Sequence, residues 1–472
     1  MAIWLVCVSL SAAGFYFSIG LGAFWPLAWL APIPVLWLAT GSERLGPVIG
    51  AAFFAYALGG LNLLQAYLSV LPPFVLLLAV CGPALLFALA VAGARLAHRS
   101  AGWFAGALAF ASYWAGVDFL LSFDPLGGSA LTPATSQVPM PALVQIASLS
   151  GFSGITFIIG VFAATMAAAA RTRSAGIALL GLALFAANAG YGAWRMTAPL
   201  NDTMRVALIA GDDAVGQVWK ADQASAREVI TAYAREALRL QGEGIELIIL
   251  PENLMRIDPA WREEALSPLV EVAQALSTDI VMGFNTELDG ALRNVAWVAR
   301  ADGQTFYYTK RQLVPGLETS IYARGGGPLA LPGGVMIAIC KDLDFPAMIR
   351  SDVASTFPVL VAAPAWDFGR DGWSHAKIAI LRGVENGVAV ARNARLGMLT
   401  LTDRYGRLIQ REGSSGVIKT VVGDLPLSET SAPTLYSKVG DLFGWLFVAM
   451  AFSITAFSKF AARKRQPVQR SV

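Results

Sequence analysis

The sequence predicts an α-helical membrane bundle of about eight spans joined to an extracytoplasmic α/β sandwich domain. Three observations carry this: a charge deficit confined to one part of the chain, a series of apolar runs of spanning length, and a polar stretch that alternates short β-branched runs with helical ones. Of the 472 residues, 56% are hydrophobic and only 14% are charged, and mean hydropathy is +0.57. An ordinary soluble domain carries about 25% charged residues, so one large soluble protein is excluded, as are disordered and collagen-like chains. From Met1 to Trp194 there are eight charged residues (Glu43, Arg44, Arg95, Arg99, Asp118, Asp124, Arg171 and Arg173), and the first lysine is Lys220. The first part is built for lipid and most of the remainder for water. The net charge of +3 favours no class of partner.

A helix needs about 20 apolar residues to cross a bilayer. Such runs fall at 2–18, 24–39, 47–67, 71–93, 102–121, 152–170 and 176–194, with an eighth at 440–458 after the polar stretch. The first run could also be read as a cleaved signal peptide, but no charged segment precedes it and further spans follow at once. Orientation comes from the cations. With the N-terminus inside, the inner loops hold Arg44, Arg95, Arg99, Arg171 and Arg173, and the tail holds Lys459, Arg463, Lys464, Arg465 and Arg470. The matching outer loops, around 19–23, 68–71 and 122–150, hold no lysine or arginine. This divides the chain into a membrane domain (1–194), an extracytoplasmic domain (195–438) and a final helix with a basic cytoplasmic tail (439–472). Asn62, Gln65 and Asp118 lie near outer helix ends; such groups are either functional or helix-to-helix hydrogen-bonding contacts. The outer loop 122–150, rich in Gly, Pro, Ser and Thr, could line a substrate entrance, with Asp118 a candidate substrate contact.

Within the polar domain the expected strands are 204–210, 245–250, 279–284, 294–300, 306–309, 335–339, 359–363, 388–392, 398–402 and 417–422. The expected helices are 221–241, 260–277, 345–354 and 374–386. Ligands of α/β sheets bind at the carboxyl ends of strands, and three such ends carry reactive groups: Glu252 after ELIIL, Lys310 after FYYT and Cys340 after VMIAI. Cys340 is the only thiol of this domain, since Cys7 and Cys81 fall inside spans, so no disulfide is expected. A lone thiol is either buried filler or a working nucleophile. Its place between a strand and a helix, beside Lys341, favours a thiolate. The rivals are weaker. His98 and His375 are the only histidines, and they make no zinc set with one soluble thiol. A Cys340–His375 dyad is possible, although His375 reads as the start of a helix. The Gly325-Gly326-Gly327 run lacks the lysine of a phosphate-binding loop. Arg382, Arg392 and Arg395 read as spread over separate elements, and nucleic acid is implausible outside the cell. Trp366, in the segment from Pro364 to Trp373, is either a substrate contact or core.

The segments PEN around Glu252, YYTKRQLVPGLE around Lys310 and IAICKDLDFP around Cys340 resemble the Glu-Lys-Cys triad of the nitrilase, or carbon-nitrogen hydrolase, superfamily. LVPGLE ending in Glu318, SAPTLYSKVGDLFGW before the last span, and the order of helices, outer domain and returning helix resemble the bacterial apolipoprotein N-acyltransferase family. Two features depart from it: Lys341-Asp342 stands where that family usually has Tyr-Glu, and loop 122–150 differs from the usual segment. The resemblance implies a nitrilase-like α-β-β-α sandwich and a multi-pass protein of the bacterial inner membrane with a periplasmic catalytic domain. It implies that Glu252 is the general base, that Cys340 forms a thioester with a fatty acyl chain, and that Lys310 stabilises the oxyanion. Glu318 would orient Lys310 or a proton. Lys341 would either depress the thiol pKa or pair with Asp342. The implied partners are a phospholipid acyl donor and the lipid-modified N-terminal cysteine of lipoproteins, with no cofactor and no metal. The alternative is a membrane-bound nitrilase-type amidase or hydrolase in which water resolves the acyl-enzyme.

Overall fold

The computed structural model describes residues 1–212 and 220–465, with side chains as far as Ser458. The basic tail expected from Lys459 to Arg470 therefore lies outside the described side chains. The chain divides into two compact units. The first comprises Met1–Asp124, Leu131–Thr197 and the chain from Val439 onward; the second comprises Pro125–Ala130 and Ala198–Lys438.

The first unit is helical. It contains α1 (Ala2–Ser18), α2 (Trp25–Leu30), α3 (Ile33–Gly41), α4 (Leu45–Gly60), α5 (Leu64–Tyr67), α6 (Pro73–Ala101) and α7 (Trp103–Leu121). It continues with α8 (Pro141–Val144), α9 (Ala147–Ser150), α10 (Phe152–Thr172) and α11 (Ala175–Arg195). Five helical stretches among the described residues are long and apolar enough to cross a membrane: Leu45–Tyr67, Pro73–Ala101, Trp103–Leu121, Phe152–Thr172 and Ala175–Arg195. Ala2–Ser18, Trp25–Gly41 and Leu442–Ser458 are shorter apolar helices. The second of these breaks at Ala31-Pro32, where proline removes a backbone donor. Small residues let helices close on one another, as is usual in hydrocarbon. Gly59 faces Phe15 and Gly160 faces the Ala111 backbone, with no room for a Cβ at either. Phe15, Tyr56, Phe87, Phe110 and Trp114 pack ring against ring in the interior, edge to face or tilted, while Leu77, Leu78, Leu85 and Leu89 of α6 point outward. Asn62 is a helix contact: its Nδ2 donates to the carbonyls of Tyr16 and Ile19, both at 2.7 Å, closing the end of α1.

The second unit has two six-stranded sheets. Its strands are β1 (Asp202–Ala210), β2 (Leu247–Ile249), β3 (Asp279–Leu288), β4 (Ala291–Ala299), β5 (Thr305–Thr309), β6 (Leu329–Leu331), β7 (Val335–Ile337), β8 (Leu360–Trp366), β9 (Ala389–Arg395), β10 (Met398–Thr402), β11 (Leu408–Gly413) and β12 (Lys419–Leu427). Its helices are α12 (Gln223–Leu238), α13 (Arg262–Leu276), α14 (Pro346–Thr356), α15 (Gly372–Asn386) and α16 (Leu435–Val439); α17 (Leu442–Arg465) follows in the first unit. One sheet runs β12-β1-β2-β3-β4-β5 and the other β11-β10-β9-β8-β7-β6. Each has a parallel centre, with Leu208 opposite Ile249 and Ile249 opposite Val281 in the first. In the second, Val335 lies opposite Leu360 and Leu360 opposite Ala389.

Side chains alternate across a strand, and that alternation builds the layers. Val206 and Leu208 of β1 meet Ile337, Ala362 and Ala391 between the sheets. Ala207 and Ile209 turn to Val229, Ile230 and Leu269 of α12 and α13. On the far side, Met336 and Val361 pack on Ile349, Val353 and Ala379 of α14 and α15. The result is an α-β-β-α sandwich. The sequence reading lacked β6 and β11. β6 is a three-residue strand, and half-exposed LIQREG lacks an apolar run.

Candidate active site

Parallel strands direct their carboxyl ends to one edge of a sheet, and the polar groups gather there. Glu252 lies just beyond β2, its N–H donating to the Ala365 carbonyl of the other sheet at 3.3 Å. Gly283 makes room for it: the Gly283 N–H binds the Pro251 carbonyl at 2.9 Å, and a Cβ there would collide with the Glu252 backbone. Lys310 follows β5 directly, held by its N–H on the Asn294 carbonyl at 2.9 Å. Its Nζ donates to Glu252 Oε1 at 2.7 Å and to Glu318 Oε2 at 2.8 Å. Asn294 Nδ2 donates to both carboxylates, at 2.7 and 3.0 Å. Glu318 Oε2 also accepts from the Val314 N–H at 2.8 Å, which folds LVPGLE back on the site. Glu252 and Lys310 are each 1% exposed.

Cys340 opens a 3₁₀ turn, Cys340–Asp344, beyond β7. Its φ is +40°, a left-handed conformation that costs a non-glycine residue about 1–3 kcal/mol and is typical of functional positions. Asp342 enforces it. Its carboxylate accepts from the Ile339 N–H (3.0 Å), Tyr308 Oη (2.7 Å) and the N–H groups of Arg311 (3.2 Å) and Gln312 (2.8 Å). The Cys340 thiol donates to the Trp366 carbonyl at 3.6 Å.

The electrostatics fit a resting thiol beside a base. Burial pushes the Cys340 thiol well above its ordinary value and Glu252 pushes it further, while Lys310 and Arg392 pull the other way. Burial also raises Glu252, against the pull of Lys310, making it a stronger base than a free carboxylate. Burial pulls Lys310 down, but Glu252 and Glu318 outweigh it and hold the ammonium well above the usual lysine range. The site therefore sets a buried thiol in the field of a carboxylate and a fixed cation.

The structure thus brings Glu252, Lys310 and Glu318 into one hydrogen-bonded network, with Cys340 in the electrostatic field of Glu252 and Lys310. Lys341 pairs with Asp344 (3.5 Å) and not with Asp342, and donates to the Leu126 carbonyl at 2.9 Å. It ties down Pro125–Ala130, as does Ser129 through the Asp344 carbonyl at 2.8 Å. The cations that favour the thiolate are Lys310 and Arg392. Asp118 belongs to the helical unit, where it accepts from Thr132 Oγ1 at 2.8 Å and Thr156 Oγ1 at 2.5 Å. His375 pairs with Asp371 at 3.1 Å, at the start of α15. Arg392 and Arg395 share one strand, β9, and Arg392 forms a buried pair with Asp367 at 2.5 and 2.9 Å. Sequence reasoning missed the roles of Asn294 and Arg392, each a polar residue in a mostly apolar strand, and of Asp367, which lay within the 364–373 segment without being singled out. Among the described residues, no cluster of three or more His, Cys, Asp or Glu side chains could hold a metal ion.

A family model described as the apolipoprotein N-acyltransferase N-terminal domain matches residues 11–165. Apolipoprotein N-acyltransferase of Geobacter metallireducens is 26% identical over 92% of this chain and 91% of its own length. That of Pseudomonas aeruginosa strain UCBPP-PA14 is 25% identical over 94% of each chain, and that of Rhizobium etli 27% identical over 94% and 95%. The chain is similar to the apolipoprotein N-acyltransferases over most of its length. The similarity runs through both units and takes in the helices as well as the sandwich. Among solved structures, a CN-hydrolase superfamily protein of Xanthomonas campestris is 20% identical over 47% of this chain and 91% of that one, with a TM-score of 0.40. An amidase from a Nesterenkonia species is 22% identical over 47% and 90%, also at 0.40.

Proposed function

We propose that this protein is an acyltransferase that moves a fatty acyl chain from a membrane phospholipid, through a Cys340 thioester, to the N-terminal amine of a lipid-modified cysteine on apolipoproteins. The observation that carries the reading is the buried Lys310 ammonium bound to Glu252 and Glu318 and electrostatically coupled to a strained cysteine. Full-length similarity to the apolipoprotein N-acyltransferases supports it.

In the first half-reaction Glu252 takes the thiol proton and the thiolate attacks the ester carbonyl. Negative charge develops on the carbonyl oxygen, which a fixed cation in a dry site stabilises without reorganisation; Lys310 is that cation. Collapse breaks the ester C–O bond, and Glu252 returns the proton to the departing alkoxide, leaving a lysophospholipid and the thioester. In the second, the acceptor amine attacks the thioester, Glu252 takes its proton, and the thiolate leaves and is reprotonated as the amide forms. Asn294 and Glu318 hold Lys310 and Glu252 in place throughout.

Eight spans with a periplasmic sandwich in a bacterial inner membrane complete the reading. The division at 1–194, 195–438 and 439–472 belongs to it as well. The clean segregation of Lys and Arg supports this topology, and both substrates are lipids of that surface. The test is direct. Purified protein incubated with labelled phospholipid should give a hydroxylamine-labile adduct that is absent in Cys340→Ala and persists until a lipopeptide amine is added. Adduct that turns over in water alone, or none at all, would overturn the reading.

A further inference from the structure

We propose that Arg395 and Trp366 form an anion site beside the nucleophile that holds the phosphodiester of the phospholipid donor. The inference rests on the acyl-transfer reading and extends it to donor recognition.

Arg395 is the last residue of β9 and Trp366 the last of β8, opposite each other in register. The guanidinium lies over the indole, 3.8 Å from the ring centroid, and the Trp366 carbonyl receives the Cys340 thiol at 3.6 Å. The two residues are thus one and two strands removed from the nucleophile, on the same carboxyl-end edge. Arg395 is 4% exposed. Among the described residues, its buried Nε and Nη1 have no hydrogen-bond partner, and neither does Trp366 Nε1. Three buried donors at one spot, one of them on a full positive charge, are costly to leave unmade, and a sandwich has cheaper ways to fill that volume.

The neighbouring arginine shows the contrast: Arg392, on the same strand, is fully engaged by Asp367. Burial pulls Arg395 down to about 10, with Asp212 and Glu252 offsetting it only in part, so it remains a cation at neutral pH. A planar guanidinium with free donors, stiffened by stacking on an indole, matches the tetrahedral oxygens of a phosphate. Of the two substrates, the phospholipid donor necessarily carries a phosphate, and it lies a glycerol backbone away from the ester that Cys340 attacks.

The experiment uses the full chain in non-ionic detergent and follows Cys340 adduct formation from two donors, phosphatidylethanolamine and the phosphate-free ester 4-nitrophenyl palmitate. In Arg395→Gln, kcat/KM for the phospholipid should fall at least tenfold more than for the neutral ester, with Arg395→Lys intermediate. Trp366→Phe, which keeps the ring and removes Nε1, should shift the same ratio about threefold. Glycerol 3-phosphate should compete with phospholipid in the wild type and lose that effect in Arg395→Gln. Equal losses with both donors, no loss with either, or a wild type indifferent to glycerol 3-phosphate would overturn the proposal. A wild type that acquires no adduct from phospholipid would instead sink the acyl-transfer reading itself. Arg395→Gln should also melt no lower than the wild type, because it removes a buried cation whose Nε and Nη1 have no partner among the described residues; a large drop would mark the arginine as structural and count against the site.

Discussion

At the scale of single residues, the site is defined by which charges are compensated. Lys310 pairs with two buried carboxylates at once, so replacing it removes more than the proposed oxyanion ligand. Breaking a buried pair by deleting one partner costs about 3–5 kcal/mol, and Lys310→Met should show this as a lower melting temperature alongside its loss of turnover. Glu252→Gln is the cleaner probe, because the amide keeps the shape and one hydrogen-bond acceptor. It should reduce adduct formation by roughly 10²–10⁴-fold, the usual worth of a general base, with little change in melting. The wild-type rate should have an acid limb set by Glu252. The base works only when deprotonated and burial raises its pKa, so kcat/KM should begin to fall at a pH above that of an ordinary carboxylate. A limb at or below the usual glutamate range would mean that another group is the base.

At the scale of elements, strands supply the site and turns aim it. Glu252, Lys310, Cys340, Trp366 and Arg395 end or follow β2, β5, β7, β8 and β9, and Asp342 gathers the β5 and β7 ends through four hydrogen bonds. The start of α15 carries a separate device. His375 pairs with Asp371 at 3.1 Å. Burial opposes its charge, but Asp371 outweighs burial and lifts the imidazole to about 9. A histidine whose folded pKa exceeds its unfolded value stabilises the fold fully below pH 6.5 and loses that contribution as pH rises through 9. His375→Gln should therefore lower stability by at most about 3 kcal/mol near pH 6, and the gap should close between pH 7 and 9.5. Thermal melts of the two proteins across that range measure it, and a constant gap would assign the histidine a packing role only.

At the scale of the whole molecule, one chain is written for two solvents. Span helices show leucines outward and glycine or alanine inward, whereas the sandwich stacks its aliphatics in three layers and buries charges such as Glu252, Lys310, Asp367 and Arg392 at or near the strand ends. The topology assigned from the cations makes a simple prediction. In a Cys340→Ala background, a cysteine at exposed Glu429 should react with a membrane-impermeant maleimide on intact spheroplasts. One at exposed Arg173 should react only after permeabilisation. The reverse pattern would invert the protein in its membrane.

Much of this was legible before any coordinates. Charge depletion and apolar run length mark the helices because hydrocarbon tolerates little else, and Pro-Glu-Asn, Lys310 and Cys340 stood out because each closes an apolar β-branched run. The alternation of short β-branched runs with helical stretches was legible too, and with it an α/β sandwich. The partner of each charge was not. Lys341 looked like a neighbour for Asp342 or the thiol, yet it reaches Leu126, more than two hundred residues away in the chain. Arg392 and Arg395 looked alike, yet one is satisfied by Asp367 and the other lies over Trp366 with two donors unpartnered among the described residues. Adjacency along the chain governs local conformation, whereas pairing among buried groups depends on which strand ends the sheet order places side by side, and that ordering is decided only when the two sheets close on their shared core.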